Sequence, residues 1–204
     1  SAHSAEALVT FVDNQLNSGA TVDQRVANLV QAYAIEMRDD PIGIELQRSN
    51  ILALGKSGQF EEAIDALSIL HSSENGKAHR ELRSLLMSLV VESAEDTQFL
   101  KIIFNELQDF PNKISLEARQ LIAYRLIDLG FNQQAEDLLA IDQGMILTPG
   151  IIELKAKIAL NMSRPREALA HLYGLTSENA NQLRAEAELM NGNHIKAHSY
   201  FIEK

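Results

Sequence analysis

His194 and His198 stand four residues apart, a spacing that puts both imidazoles on one face of a helix and can serve a zinc ion. Neither of the other requirements of a zinc hydrolase is met. No glutamate intervenes between the two histidines to act as a base, and the sequence offers no evident third ligand. The pair reads as exposed histidines near a chain end. His71 and His79 flank a loop and His171 sits amid alanine and leucine, which are structural settings. Two acid pairs, Asp39-Asp40 and Glu61-Glu62, could pass for general acid and base. Adjacent residues on a helix point in different directions, however, and cannot flank one substrate. Asp40 precedes a proline and reads as a helix cap. Glu61 and Glu62 read as favourable charges in the first turn of a helix. The glycines are scattered singly, with no phosphate-cradling loop and no Gly-x-Ser-x-Gly elbow. No cysteine is present, which removes thiol catalysis, disulfides and thiolate metal sites. No catalytic residue, cofactor or metal is assigned, and an enzyme is the least favoured class of function.

Composition narrows the remaining classes. The chain has 204 residues, 46% hydrophobic and 23% charged, enough for a sizeable core. Aromatic residues make up only 5% and tryptophan is absent, so the core is built from Leu, Ile, Ala and Val, which suits closely packed helices better than a sheet. The net charge is −10, with 18 basic residues against 28 acidic ones and no dense basic block. Phosphate-rich partners require the opposite balance, so neither nucleic acid nor an anionic membrane surface is expected. The most apolar run, residues 85–91, is too short to cross a bilayer. A soluble protein is expected, in the cytoplasm or the periplasm; the lack of cysteine fits both.

The hydrophobic spacing predicts about twelve helices in six antiparallel pairs: 4–18 with 22–39, 41–57 with 59–73, 77–93 with 95–109, 115–129 with 132–142, 149–162 with 165–175, and 178–191 with 194–204. Asp40-Pro41 and Thr148-Pro149 each supply a cap followed by a first-turn proline, and Ser177 caps the last pair. Ala118, Ile122, Leu126 and Leu129 fall on one helical face. No stretch alternates apolar and polar residues for long enough to argue for a strand. With no change of composition to mark a linker, one continuous array over 1–204 is expected: a divergent first pair over 1–40, then repeats over 41–204.

A second spacing explains how the pairs are joined. Gly58 and Ala63, Gly130 and Ala135, and Gly192 and Ala197 are each five apart, and Ser163 with Ala168 repeats the offset. Each couple falls where one helix of a pair ends and the next begins. Glycine permits the positive φ that ends a helix, and alanine lets two helices cross closely. The runs Asn50–Leu67, Ala123–Leu139, Ala156–Leu172 and Ala185–Phe201 resemble the tetratricopeptide repeat, with departures: no early tryptophan, no closing proline, and Phe99 where alanine is expected. The resemblance covers about two thirds of the chain. It implies an all-α, right-handed superhelical solenoid whose first helices line a concave groove that holds a peptide or protein segment.

Carried over by register, the groove positions are Glu45, Arg48, Leu52 and Lys56; Glu117, Gln120, Tyr124 and Asp128; Glu153, Lys157 and Asn161; and Gln182, Glu186 and Met190. Tyr124 is the favoured anchor, an aromatic ring on an otherwise polar face. The clamp with which some members of the family hold terminal carboxylates needs asparagine where this chain has Leu52, Tyr124, Lys157 and Glu186, so that ligand is not expected. The acidic balance points instead to a partner segment with basic residues, bound less tightly as salt rises. The alternative function is a structural subunit that works by self-association. On the last helix, Ala197, Tyr200 and Phe201 are expected to pack on the hairpin partner, while Ile195 and Ile202 lie on another face. That second face predicts a continuation beyond Lys204 or packing of this end against another subunit.

Overall fold

The computed structural model describes residues 2–18, 22–37, 40–71, 76–106, 113–140 and 147–202. Among them are twelve helices and no strand: α1 (Ala2–Asn17), α2 (Gln24–Glu36), α3 (Pro41–Lys56), α4 (Phe60–His71), α5 (Lys77–Ser93), α6 (Asp96–Glu106), α7 (Leu116–Asp128), α8 (Asn132–Leu139), α9 (Pro149–Asn161), α10 (Pro165–His171), α11 (Glu178–Met190) and α12 (His194–Ile202). The all-helical class and the order of the elements are those expected from the hydrophobic spacing. No helix among the described residues is long and apolar enough to cross a membrane. Asp39, Ser72 to Asn75 and Pro111 lie outside the described residues, as do the side chains of His71 and Ile202.

Local chemistry sets the helix ends. The Asp40 carboxylate accepts the Ile42 N–H (3.0 Å) and Pro41 starts α3, so a missing N–H falls where a helix has no use for one. Ser177 caps α11 by accepting the Ala180 N–H at 3.1 Å. Thr148 occupies the cap position of α9 but its side chain makes no capping bond; Pro149 alone fixes that start.

Four helix-to-helix turns share one geometry, and it accounts for the five-residue offset. Gly58, Gly130 and Gly192 have φ of 80°, 86° and 79°, and Ser163 has φ of 59°. In each turn the positive-φ residue donates back three residues, for example Gly130 N–H to Ile127 O at 2.9 Å. The next residue donates back five, as in Phe131 N–H to Leu126 O at 2.7 Å. Together these bonds satisfy the last carbonyls of the first helix. That same next residue then accepts from the alanine four positions on: Gln59 from Ala63, Phe131 from Ala135, Arg164 from Ala168 and Asn193 from Ala197, at 3.0 to 3.1 Å. One residue therefore closes one helix and opens the next, which places the alanine on the first inward-facing turn. Ala63, Ala135 and Ala168 are wholly buried, and Ala197 nearly so. The turn between α5 and α6 differs: it is one residue shorter and has no positive φ, and Phe99, fully buried, occupies the equivalent inward position.

The chain divides into two compact units, residues 1–118 and 119–204. In the first, α3 packs on α1, α2, α4 and α5. Its N-terminal core joins Ala5, Val12 and Leu16 of α1 to Ala27, Val30 and Ala34 of α2 and to Leu46 and Ala53 of α3. Gly55 lets α3 approach α5 closely: a Cβ at that position would lie 2.8 Å from a Leu86 methyl on α5, which would have to shift. Arg83 of α5, itself buried, reaches the partly buried Glu106 of α6 at 3.2 Å and ties the two helices together. In the second unit, α8 packs on α9, α9 on α10 and α11, α10 on α11, and α11 on α12. Ala156, Ala159 and Leu160 of α9 form its core with Ala168, Leu172, Ala180, Leu183 and Ala187. Five of those eight are alanine and three are leucine, which permits the close helix approach that aromatic residues would prevent.

An ion pair closes the last hairpin. Glu188 of α11 is buried, with Lys196 of α12 at 2.6 Å from one carboxylate oxygen and Asn193 Nδ2 donating to the other at 2.7 Å. The hydrogen bond from Lys196 and then that from Asn193 hold the Glu188 carboxyl below its usual 4.5, against the opposing effect of burial. The same contact raises Lys196 above 10.5. A depressed carboxyl stabilises the fold above its unfolded pKa, and that contribution disappears as pH falls through the folded value. Glu188→Gln is therefore expected to be less stable than wild type near about pH 7, with the gap closing below about pH 4. Denaturant melts at the two pH values check this; a gap independent of pH would show that the charge is not involved.

Candidate functional site

Six of the groove positions read from the sequence line one cleft in the second unit: Tyr124 and Asp128 of α7, Glu153 and Lys157 of α9, and Gln182 and Glu186 of α11. Each helix supplies two residues four apart, the spacing that puts both on one face. Ile127, Leu154 and Leu183, all buried, form the apolar part of the lining. The cleft has a volume of about 320 Å³.

Its polar groups are unequally committed. Glu153 accepts from Ser177 Oγ and from Asn179 Nδ2 (2.6 Å), so the residue that caps α11 also ties α9 to it. Lys157 donates to Glu186 at 3.3 Å, both about half exposed, a pair of small energetic weight. Tyr124, Asp128 and Gln182 are exposed, and their side chains make no hydrogen bond or ion pair among the described residues. Tyr124 is 42% exposed, an aromatic ring open to solvent at the edge of the cleft.

The other expected positions are not in this cleft. Gln120 lies over Gly150, its Nε2 3.0 Å from where a Cβ would stand. Asn161 donates to Asn132 at 2.9 Å, and Met190 is exposed. In the first unit Glu45 is exposed and Arg48 half-buried, but α1 occupies the neighbouring side of α3. Leu52 packs against the N-terminal core and the Lys56 ammonium donates to the Leu16 carbonyl.

Glu117 lines a larger cavity of about 730 Å³ in the first unit, with Arg80, Ser84, Leu85 and Ile114. Little in the residue pattern points to it. Leu85, in the apolar run over residues 85–91, is 54% exposed. Among the histidines, His194 and His198 are exposed, His79 is buried, and His171 stands 3.7 Å from Glu167. No group of three or more His, Cys, Asp or Glu among the described residues is placed to hold a metal ion. Of the acid pairs, Asp40 caps α3 and Glu61 pairs with Lys101 at 2.7 Å across the surface.

No family model, curated protein or solved structure matches the chain.

Proposed function

We propose that the protein is a non-enzymatic interaction module, a tetratricopeptide-like solenoid that binds a peptide or protein segment along its first helices. The observation that carries this reading is the cleft of the second unit, where three first helices contribute matched pairs of side chains around an exposed Tyr124. Aromatic rings half open to solvent beside an apolar floor are the usual anchors of a protein interface. The repeated turn, with its positive-φ residue and buried alanine, supports the repeat architecture. The chain's net charge of −10 favours a partner with basic residues.

Proteins captured by the full chain and identified by mass spectrometry supply the segment to test. Tyr124→Ala is expected to weaken binding of that segment by about tenfold, the typical weight of an interface anchor. The melting temperature should stay nearly unchanged, and affinity should fall as salt rises. Unaltered binding, or a large loss of stability, would contradict the assignment.

One observation favours self-association as a second reading. Leu160 and Leu172 are buried with Ala180, Leu183 and Ala187 of α11. Shifted by the spacing of Ala168 and Ala197, those leucines correspond to Leu189 and Phe201, which are 48% and 59% exposed. Phe201 was expected to pack within its own hairpin. Ala197 is buried and Tyr200 lies under the Arg184 guanidinium at 5.9 Å, but Phe201 is 59% exposed on the same helix, α12, whose Ile195 is 92% exposed. The position that α11 covers in the preceding pair has no helix over it here among the described residues. Under this reading, light scattering at high concentration finds wild type larger than a monomer and Ile195→Glu with Phe201→Glu monomeric. A monomeric wild type would remove this reading.

A further inference from the structure

Taking the cleft of the second unit as a binding surface, we infer that it selects an arginine side chain of an extended peptide, with the guanidinium against the Tyr124 ring and paired with the Asp128 carboxylate. The inference rests on the reading of this cleft as the interaction site and adds what the site recognises. The lining holds three carboxylates, Asp128, Glu153 and Glu186, and one ammonium, Lys157. Two of the carboxylates are already engaged, Glu186 by Lys157 at 3.3 Å and Glu153 by Ser177 and Asn179. Asp128 has no such partner among the described residues, and it lies one helical turn from Tyr124 on the same face. The cleft thus carries a negative excess, and the uncommitted part of it sits beside an aromatic ring.

A cation is the ligand that satisfies both groups, through the carboxylate charge and the negative face of the ring. Arginine fits better than lysine. Its planar guanidinium stacks on an aromatic ring while two N–H groups pair with a carboxylate, whereas an ammonium does one or the other. Its aliphatic stem also suits the floor of Ile127, Leu154 and Leu183. Gln182, exposed on the opposite wall, is free to bond the peptide backbone beside that side chain. A volume of about 320 Å³ holds one long side chain with the backbone atoms that flank it.

The test uses the full chain, labelled with ¹⁵N, titrated with acetyl-Gly-Arg-Gly amide and with the same tripeptide carrying citrulline, the neutral isostere. The arginine peptide is expected to shift the amides of Tyr124, Asp128, Lys157 and Gln182 and to bind about tenfold more tightly than the citrulline one. In Asp128→Asn that preference is expected to vanish, while Tyr124→Ala weakens both peptides. Thermal melts confirm that each variant is folded. Equal binding of the two peptides, shifts elsewhere on the chain, or no shift at millimolar peptide overturns the inference. The broader reading fails separately. If a captured segment still depends on Tyr124 but tolerates loss of its arginines, only the arginine preference is wrong. If the arginine peptide binds as described but Tyr124→Ala leaves capture intact, the cleft is not the interaction site of the protein.

Discussion

Replacing Phe99 with alanine, the residue that stands at the equivalent place in four other hairpins, is expected to cost about 3–5 kcal/mol of stability. The repeat pattern taken alone would make this change harmless. Phe99 is fully buried, as are its neighbours on α6, Ile102 and Ile103. The α5–α6 turn reaches it without the extra positive-φ residue of the other turns. A ring therefore fills the space that a closer helix crossing fills elsewhere. Removing it loses the transfer energy of the ring and leaves a cavity that the surrounding helices close only in part. Urea unfolding of the full chain reads the effect as a drop in transition midpoint. A loss under about 1 kcal/mol would mean that the helices collapse onto alanine, and that α5 and α6 are built like the other pairs.

Ala63→Leu and Ala135→Leu are the complementary experiment, each expected to destabilise by about 1–3 kcal/mol through overpacking. Both alanines have no exposed surface and sit one turn into a helix whose start is fixed by the preceding turn. The added atoms cannot escape by sliding the helix, because Gln59 and Phe131 anchor both the incoming and the outgoing chain through backbone bonds. Ala170→Leu, on the exposed face of α10, is the control and should change stability by less than about 0.5 kcal/mol. Neutral results at both buried positions would remove the alanines from the helix crossings and undo the explanation of the five-residue offset.

Helix ends and turns were legible because their determinants are local. Asp40 with Pro41, Ser177, and the glycines at 58, 130 and 192 act through bonds to backbone a few residues away. Ser163 shows that offset was a better guide than residue type, since it adopts the same positive φ without being glycine. Six of the fourteen groove positions meet in one cleft, and all lie on α7, α9 and α11, where the spacing repeats most regularly. What was not legible depends on neighbours distant in sequence. Leu52 and Lys56 have the register of a groove, but α1 sits beside them, and residues 1–40 match the repeat only as helices. Phe201 has the register of a packed residue, but is 59% exposed. Leu85 lies in the most apolar run of the chain, although one face of its helix opens on a cavity. The buried Glu188 gave no warning at all, because its partner Lys196 is set by the hairpin and not by helical spacing.

If partners are held in the cleft of the second unit, site-specific photocrosslinking in native extract will trap them there. A photoreactive residue at Gln182, exposed inside the cleft, is expected to trap a protein whose crosslinked segment carries basic residues. The same residue at Arg166, exposed on α10, should trap little of that protein, and Tyr124→Ala should suppress the Gln182 product. Equal trapping of that protein from Gln182 and Arg166, or a Gln182 product indifferent to Tyr124→Ala, would place the partner outside the cleft.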